Sequence, residues 1–292
     1  MENVANAIFG DIGEDEIFLV NELARTLQNF KYEFFSTDEI SDLLLNEKVS
    51  EGMKYYWIEL LNRLHFASST SILRNQRWIR GILNSYVDQN YYTFAASFRG
   101  LLESVADSTD SLLQIPNNLA DIAYMVRDIV HNKPVKQFVI AKELEEKLMH
   151  YSHARKLEKN NQFPKYFNAK SNQDYLQQFN DPQIKDCYSE LCEITHPAAR
   201  SVLFFLTNDP PDQDKHWVLV NDQDSLQIQV FCFKFKQIMP KILYLGINLP
   251  LINLKLLNFF ELPNITTPIV NKLGMKQVQL WNDLKQKIPE LD

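Results

Sequence analysis

The sequence predicts an all-α helical array with one small β-hairpin near residues 202–220. Three observations carry this. Long stretches repeat apolar residues at helical spacing, while strand-like alternation is sparse. Only 7 glycines occur in 292 residues, fewer than the phosphate loops and tight strand connections of a doubly wound α/β fold require. At 45% hydrophobic, the chain can bury a sizeable core in one large domain or two small ones.

The elements follow in order. Residues 14–29 place Ile17, Val20, Ala24 and Leu27 on one helical face. "STDE" then offers a capping box, with Ser36 as N-cap and Glu39 reaching back, for a short helix to about Asn46. "EGMKYYWIELLNRLHFA" starts after Ser50, and "SILRNQRWIRGILNSYVDQ" continues the same apolar pattern. "YYTFAASFRGLLESVAD" is the next helix, where Ala95 and Ala96 permit close packing, and Pro116 ends that region. "NNLADIAYMVRDIVH" is helical and stops before Pro134, and 135–159 reads as one long helix. Two more helices lie in 172–179 and 182–195. "SVLFFLTNDPPDQDKHWVLVND" has two β-prone runs around a polar, Pro-containing turn, so 202–206 should pair with 216–220. Helices at 225–259, broken at Pro240 and Pro250, and at 275–288 close the chain. No repeat or low-complexity tract appears. The expected organisation is acidic N-terminal helices in 1–50, a helical core with the hairpin in 51–225, and C-terminal helices in 226–292 packed on that core.

Composition narrows the function. Three cysteines without a CxxC pair argue against a disulfide framework or a zinc ribbon and suit a reducing cytosol. The first residues lack a basic region followed by an apolar core, so no secretory signal is read there. The most apolar stretch, 241–260, is interrupted by Asn248, Pro250, Asn253 and Lys255, which suits a buried helix better than a membrane span. P-loop, GxGxxG, GxSxG and HExxH motifs are all missing, and no cofactor is expected.

The net charge of −7 is unevenly spread. Residues 1–50 hold eleven acids and three bases, which suits docking on a basic partner protein. Residues 147–170 hold six bases and one acid among Tyr151, Phe163, Tyr166 and Phe167. Basic groups attract phosphate and aromatic faces stack on bases, so Arg155, Lys156, Lys159 and Lys165 are the candidate RNA contacts. An ordinary solvated basic loop has the same composition. His150 and His153 sit at metal-like i,i+3 spacing, but no acidic or Cys partner lies near, and no metal site is assigned.

Two further segments carry a family likeness. "RGLLE" places Arg99 and Glu103 four apart, on one helix face. "YSELCEITHP" supplies Tyr188, Leu191, His196 and Pro197. Together they resemble the Arg-x-Leu-Leu-Glu and Tyr-x-x-Leu-x-x-x-x-His-Pro signatures of a bacterial family of helical proteins related to the HEPN (higher eukaryote and prokaryote nucleotide-binding) superfamily. The resemblance spans about residues 70–205. It implies a HEPN-like helical fold, a role in defence or as a toxin, and, where catalytic, a homodimer that cuts RNA without a metal. The chemistry needs an Arg and a His. The RNA 2′-hydroxyl is the nucleophile, a His moves its proton, and an Arg neutralises the transition-state phosphate.

In family members a gap of four to six residues separates that Arg from the His. This chain offers Arg127 and His131, with a gap of three, so it departs from the spacing while keeping both groups on one helix face. A helix end also explains them, since His in a last turn favours the helix dipole and Pro134 follows. The alternative pocket is Arg99, Glu103, Tyr188 and His196, read either as a self-satisfied buried polar network or as a site where His196 is the base and Arg99 holds phosphate. The rival to RNA cleavage is a non-catalytic scaffold docking a partner through the acidic N-terminus.

Overall fold

The computed structural model describes residues 2–45, 48–134, 138–158, 162–208, 217–273, 275 and 278–291. These residues are mostly helical, with one two-stranded antiparallel sheet. In chain order the elements are α1 (Glu2–Phe9), α2 (Gly13–Thr26), α3 (Thr37–Leu45), α4 (Val49–Val87), α5 (Tyr91–Leu112), α6 (Ile115–Ala120), α7 (Ala123–Val130) and α8 (Lys142–His153). Then come α9 (Asn172–Leu176), α10 (Pro182–Thr195), α11 (Ala199–Leu203), β1 (Leu206–Asn208), β2 (Trp217–Leu219), α12 (Asp224–Lys234), α13 (Met239–Asn258), α14 (Pro268–Asn271) and α15 (Gln279–Lys287).

The capping box at α3 forms as the sequence predicts: Glu39 N–H donates to Ser36 Oγ at 3.1 Å, and Ser36 N–H to Glu39 Oε2 at 2.7 Å. Three expectations need correction. The hairpin pairs Leu206 with Leu219 and Asn208 with Trp217, so it begins later than residue 202. Residues 199–203 form α11 instead, because Ser201 Oγ accepts from Ala198 N–H at 3.2 Å and the Tyr92 hydroxyl donates to the Ser201 carbonyl. Pro116 does not end a helix; it lies in the first turn of α6, where its missing N–H costs nothing. Of the helix expected over 135–159, the described residues form only Lys142–His153, and 135–137 and Lys159 lie outside them. The buried indole of Trp57 takes the Val139 carbonyl at 3.0 Å, and Ala141 N–H donates to the Tyr56 hydroxyl at 3.0 Å, so the backbone before α8 is committed to tertiary bonds. After α8, Arg155 pairs through its backbone with Phe167 and Ala169.

Two compact units interleave along the chain. The first takes residues up to Asn21, Arg74–Ala106 and Asn172–Gly246. Its core is an aromatic cluster in which Phe98 stacks against Phe9 at 6.3 Å and Phe94 at 6.2 Å, and meets Phe231 edge-on at 5.9 Å. α4 and α5 approach closely at Gly100, where a Cβ would sit 2.7 Å from the Trp78 ring. Gly100 is a small residue at that approach; of the two alanines expected there, Ala95 is buried and Ala96 faces solvent.

The second unit takes Glu22–Leu73, Asp107–Ser171 and Ile247–Asp292. Its core includes Met53, Trp57, Leu61 and Leu64 from one face of α4. His65 is fully buried on the same helix, bonded to the Tyr32 hydroxyl at 2.9 Å and to Thr267 Oγ1 at 3.0 Å. Burial holds its pKa down to about 4, against 6.5 unperturbed. The unfolded chain therefore binds more protons than the folded one between those values, and stability falls as pH drops from 6.5 towards 4. The loss should approach ~3 kcal/mol, and His65→Gln should flatten that part of the pH profile in urea titrations.

Candidate functional site

The site is assembled within the first unit from one face of α5 and one face of α10. Asp181 starts α10 by accepting from Gln183 N–H at 3.0 Å, with Pro182 in the first turn. The helix ends at His196, whose ψ of 157° is extended, and Pro197 prevents its continuation. Tyr188, Cys192, Thr195 and His196 fall at i, i+4, i+7 and i+8, so they share one face.

Arg99 on α5 meets that face. Its Nε donates to Glu103 Oε1 at 2.9 Å, and its Nη1 donates to Thr195 Oγ1 at 3.0 Å and to His196 Nε2 at 2.8 Å. The guanidinium also lies 5.7 Å from the Tyr188 ring centre. Glu103 Oε1 accepts in addition from the Tyr188 hydroxyl at 2.9 Å and from Asn172 Nδ2 at 2.7 Å. Guanidinium has no acceptor, so His196 must present a lone pair at Nε2, which puts the imidazole proton on Nδ1. Among the described residues no hydrogen-bond acceptor meets Arg99 Nη2.

The electrostatics follow from this packing. Burial pushes the Tyr188 hydroxyl up to about 12, and its bond to Glu103 adds to that. Burial opposes the charge of Arg99, yet Glu103 more than offsets it and holds the guanidinium above its ordinary pKa. The network expected to be buried lies at the surface: the Arg99 side chain is 20% exposed, that of Glu103 30%, and His196 is exposed. Sequence reasoning missed Asn172, Cys192 and Thr195. The last two were legible as part of the α10 stripe; Asn172, at the start of α9, left no local signal.

Arg127 and His131 are placed differently, within the second unit. Arg127 Nη2 donates to Glu261 Oε1 at 2.7 Å, and its guanidinium lies 4.8 Å over the Phe259 ring. His131 Nε2 donates to the Phe260 carbonyl at 2.9 Å. Together they tie the end of α7 to the segment just after α13.

The basic segment also belongs to the second unit. Arg155, Lys156 and Lys165 are exposed, and Arg155 lies 4.8 Å over the Phe163 ring. Lys159 lies outside the described residues. Two other bases are already engaged, Lys170 with Asp110 at 2.5 Å and Lys147 with the Gln114 side chain at 3.2 Å. His150 is buried against the Tyr166 carbonyl at 2.7 Å, and His153 contacts Ser152 Oγ. Among the described residues, no three His, Cys, Asp or Glu side chains converge as metal ligands. Burial pushes the Cys187 thiol up, away from reactivity.

The opposite face of α10 carries a second ionic cluster. Buried Glu190 accepts from Arg200 Nη2 at 3.0 Å and from Lys234, beside a cleft of about 420 Å³. Glu190, Glu193, Arg200 and Lys234 are paired with one another there, which is the arrangement that fastens α10, α11 and α12 together. No family model, curated protein or solved structure matches the chain. Among the described residues no helix is long and apolar enough to cross a membrane.

Proposed function

We propose that the chain is a HEPN-like protein of the defence or toxin kind that cleaves RNA without a metal, with Arg99 and His196 as the working pair. The observation that carries this is the contact between an exposed His196 and an Arg99 already anchored by Glu103. A phosphodiester seated on Nη2 lies beside the His196 Nε2 lone pair. As the phosphate draws Nη1 away from His196, the freed Nε2 lone pair takes the proton of the 2′-hydroxyl while the 2′-oxygen bonds to phosphorus, and the 5′-oxygen leaves with a proton from water. Arg99 offsets the charge that builds on the phosphate oxygens. Glu103 fixes the guanidinium in place, and Asn172 and Tyr188 hold Glu103. The exposed Arg155, Lys156 and Lys165 are proposed to contact the RNA backbone. The test is a cleavage assay on structured and single-stranded RNAs in EDTA. Products ending in a 2′,3′-cyclic phosphate are expected; intact RNA under all these conditions would end this reading.

A second reading is favoured by a different observation. In the second unit a groove of about 610 Å³ has Phe35, Ile40, Leu43 and Tyr55 in its lining, with Glu39, Asp42 and Glu51 outnumbering Lys48. An apolar lining with an acidic rim suits a basic amphipathic segment of a partner protein. An arginine-rich amphipathic peptide should bind the wild type with micromolar affinity and lose it in Asp42→Lys.

A further inference from the structure

Helix α12 carries apolar residues on two opposite faces, with Ser225, Gln227, Gln229 and Lys234 on the flanks between them. Its inner face buries Ile228, Phe231 and Cys232, with Phe231 in the aromatic core. Its outer face carries Leu226, Val230 and Phe233 at i, i+4 and i+7, exposed to 58%, 49% and 75%. A helix with apolar residues on two opposite faces suits a place between two layers, and the first unit supplies only one. The apolar surface continues onto neighbouring residues. Leu203, Trp217 and Leu219 are exposed to 56%, 59% and 78%. Their segment is held close to the start of α12 through Tyr91, which stacks on Phe204 at 5.8 Å and donates its N–H to Asp224 at 2.7 Å. The six side chains together offer on the order of 800 Å², the area one partner contributes to a standard interface.

We propose that this face is a homodimer interface, in which α12 packs antiparallel on α12 of a second copy across a two-fold axis. The sequence of the helix is self-complementary in that arrangement. With the axis near residue 229, Val230 meets its own copy and Leu226 meets Phe233. The same operation brings exposed Asp222 opposite exposed Lys236 on both sides of the axis. Lys236 already lies 5.1 Å from its own Phe233 ring, on the edge of the stripe. A lipid surface fits less well, because Asp222 and Asp224 flank the stripe and the chain carries a net −7, which an anionic leaflet repels.

Sedimentation equilibrium of the full chain over ~1–50 µM tests this. A reversible dimer is expected. Val230→Asp should raise its dissociation constant at least ~100-fold, since each substitution enters a two-fold interface twice. Circular dichroism should not change, and the melting temperature should fall no further than that of the wild type diluted below its dissociation constant; Phe233→Ser gives the same test at a more exposed position. Asp222→Lys and Lys236→Asp should each weaken the dimer by ~3–10-fold, as rim charges do, and the double variant should return it to within ~2-fold of wild type. A monomeric wild type across the range overturns the proposal, as does a monomer that instead floats with anionic or neutral lipid vesicles. Single charge variants that weaken the dimer without recovery in the double variant overturn the two-fold arrangement.

Discussion

Replacing Asn75 with alanine is expected to cost the fold ~2–4 kcal/mol, from a lost donor to a buried carbonyl plus the space left behind. The reason begins at Pro250, which lies inside α13. A proline has no N–H, so the carbonyl four residues earlier, that of Gly246, has no helical partner. Asn75 on α4 supplies the missing donor, with Nδ2 2.7 Å from the Gly246 oxygen. Its Oδ1 in turn accepts from Ser104 Oγ on α5 at 2.7 Å, and Asn75 is fully buried. Residue 246 is glycine because Asn75 and Val105 occupy the space of a side chain: a Cβ there would lie 2.7 Å from Val105 Cγ2 and 3.1 Å from Asn75 Nδ2. Pro250→Ala restores an N–H to the helix. Its stabilising effect should therefore be about 1 kcal/mol larger without Asn75 than with it. Urea denaturation of the four chains in this cycle measures both numbers. Strict additivity would falsify the link between Pro250 and Asn75.

That link shows where sequence reading stops. Pro250 was visible as an interruption, but the residue that compensates for it lies 175 positions away and only the fold brings it there. Periodicity identified the helices well, because apolar spacing is a local property. It failed over 138–141, where Trp57 and Tyr56 capture the backbone, and over 199–203, where one short apolar run suits a helix or a strand equally. The candidate site divides in the same way. Arg99 with Glu103, and Tyr188 with His196, were legible as i,i+4 and i,i+8 pairs on two helices. Their depth was not, since spacing says which face a residue shares and nothing about what covers it. In sequence Arg127 and His131 stood as the first catalytic pair, with Arg99 and His196 in the alternative pocket. Only the fold shows that Glu261 and the Phe260 carbonyl occupy the first pair.

His196→Ala should lower RNA cleavage by at least ~100-fold while the melting temperature stays close to wild type, because an exposed side chain that moves a proton contributes to rate far more than to packing. Arg99→Lys should lose a similar factor: lysine keeps the charge but cannot reach Glu103, Thr195 and His196 at once from one planar group. Arg99→Ala adds a stability cost of only ~1 kcal/mol. Glu103 is 30% exposed and keeps Tyr188 and Asn172 as donors, so it is not left as an uncompensated buried charge. His131→Ala is the contrast. It removes the bond to the Phe260 carbonyl and should lower the melt while the folded fraction cleaves at the wild-type rate. Initial rates on a short fluorescent RNA, measured beside thermal melts of the same preparations, separate the two kinds of effect. If His131→Ala abolishes cleavage with an unchanged melt and His196→Ala does nothing, the reaction belongs to Arg127 and His131, and the contact at Arg99 is structural.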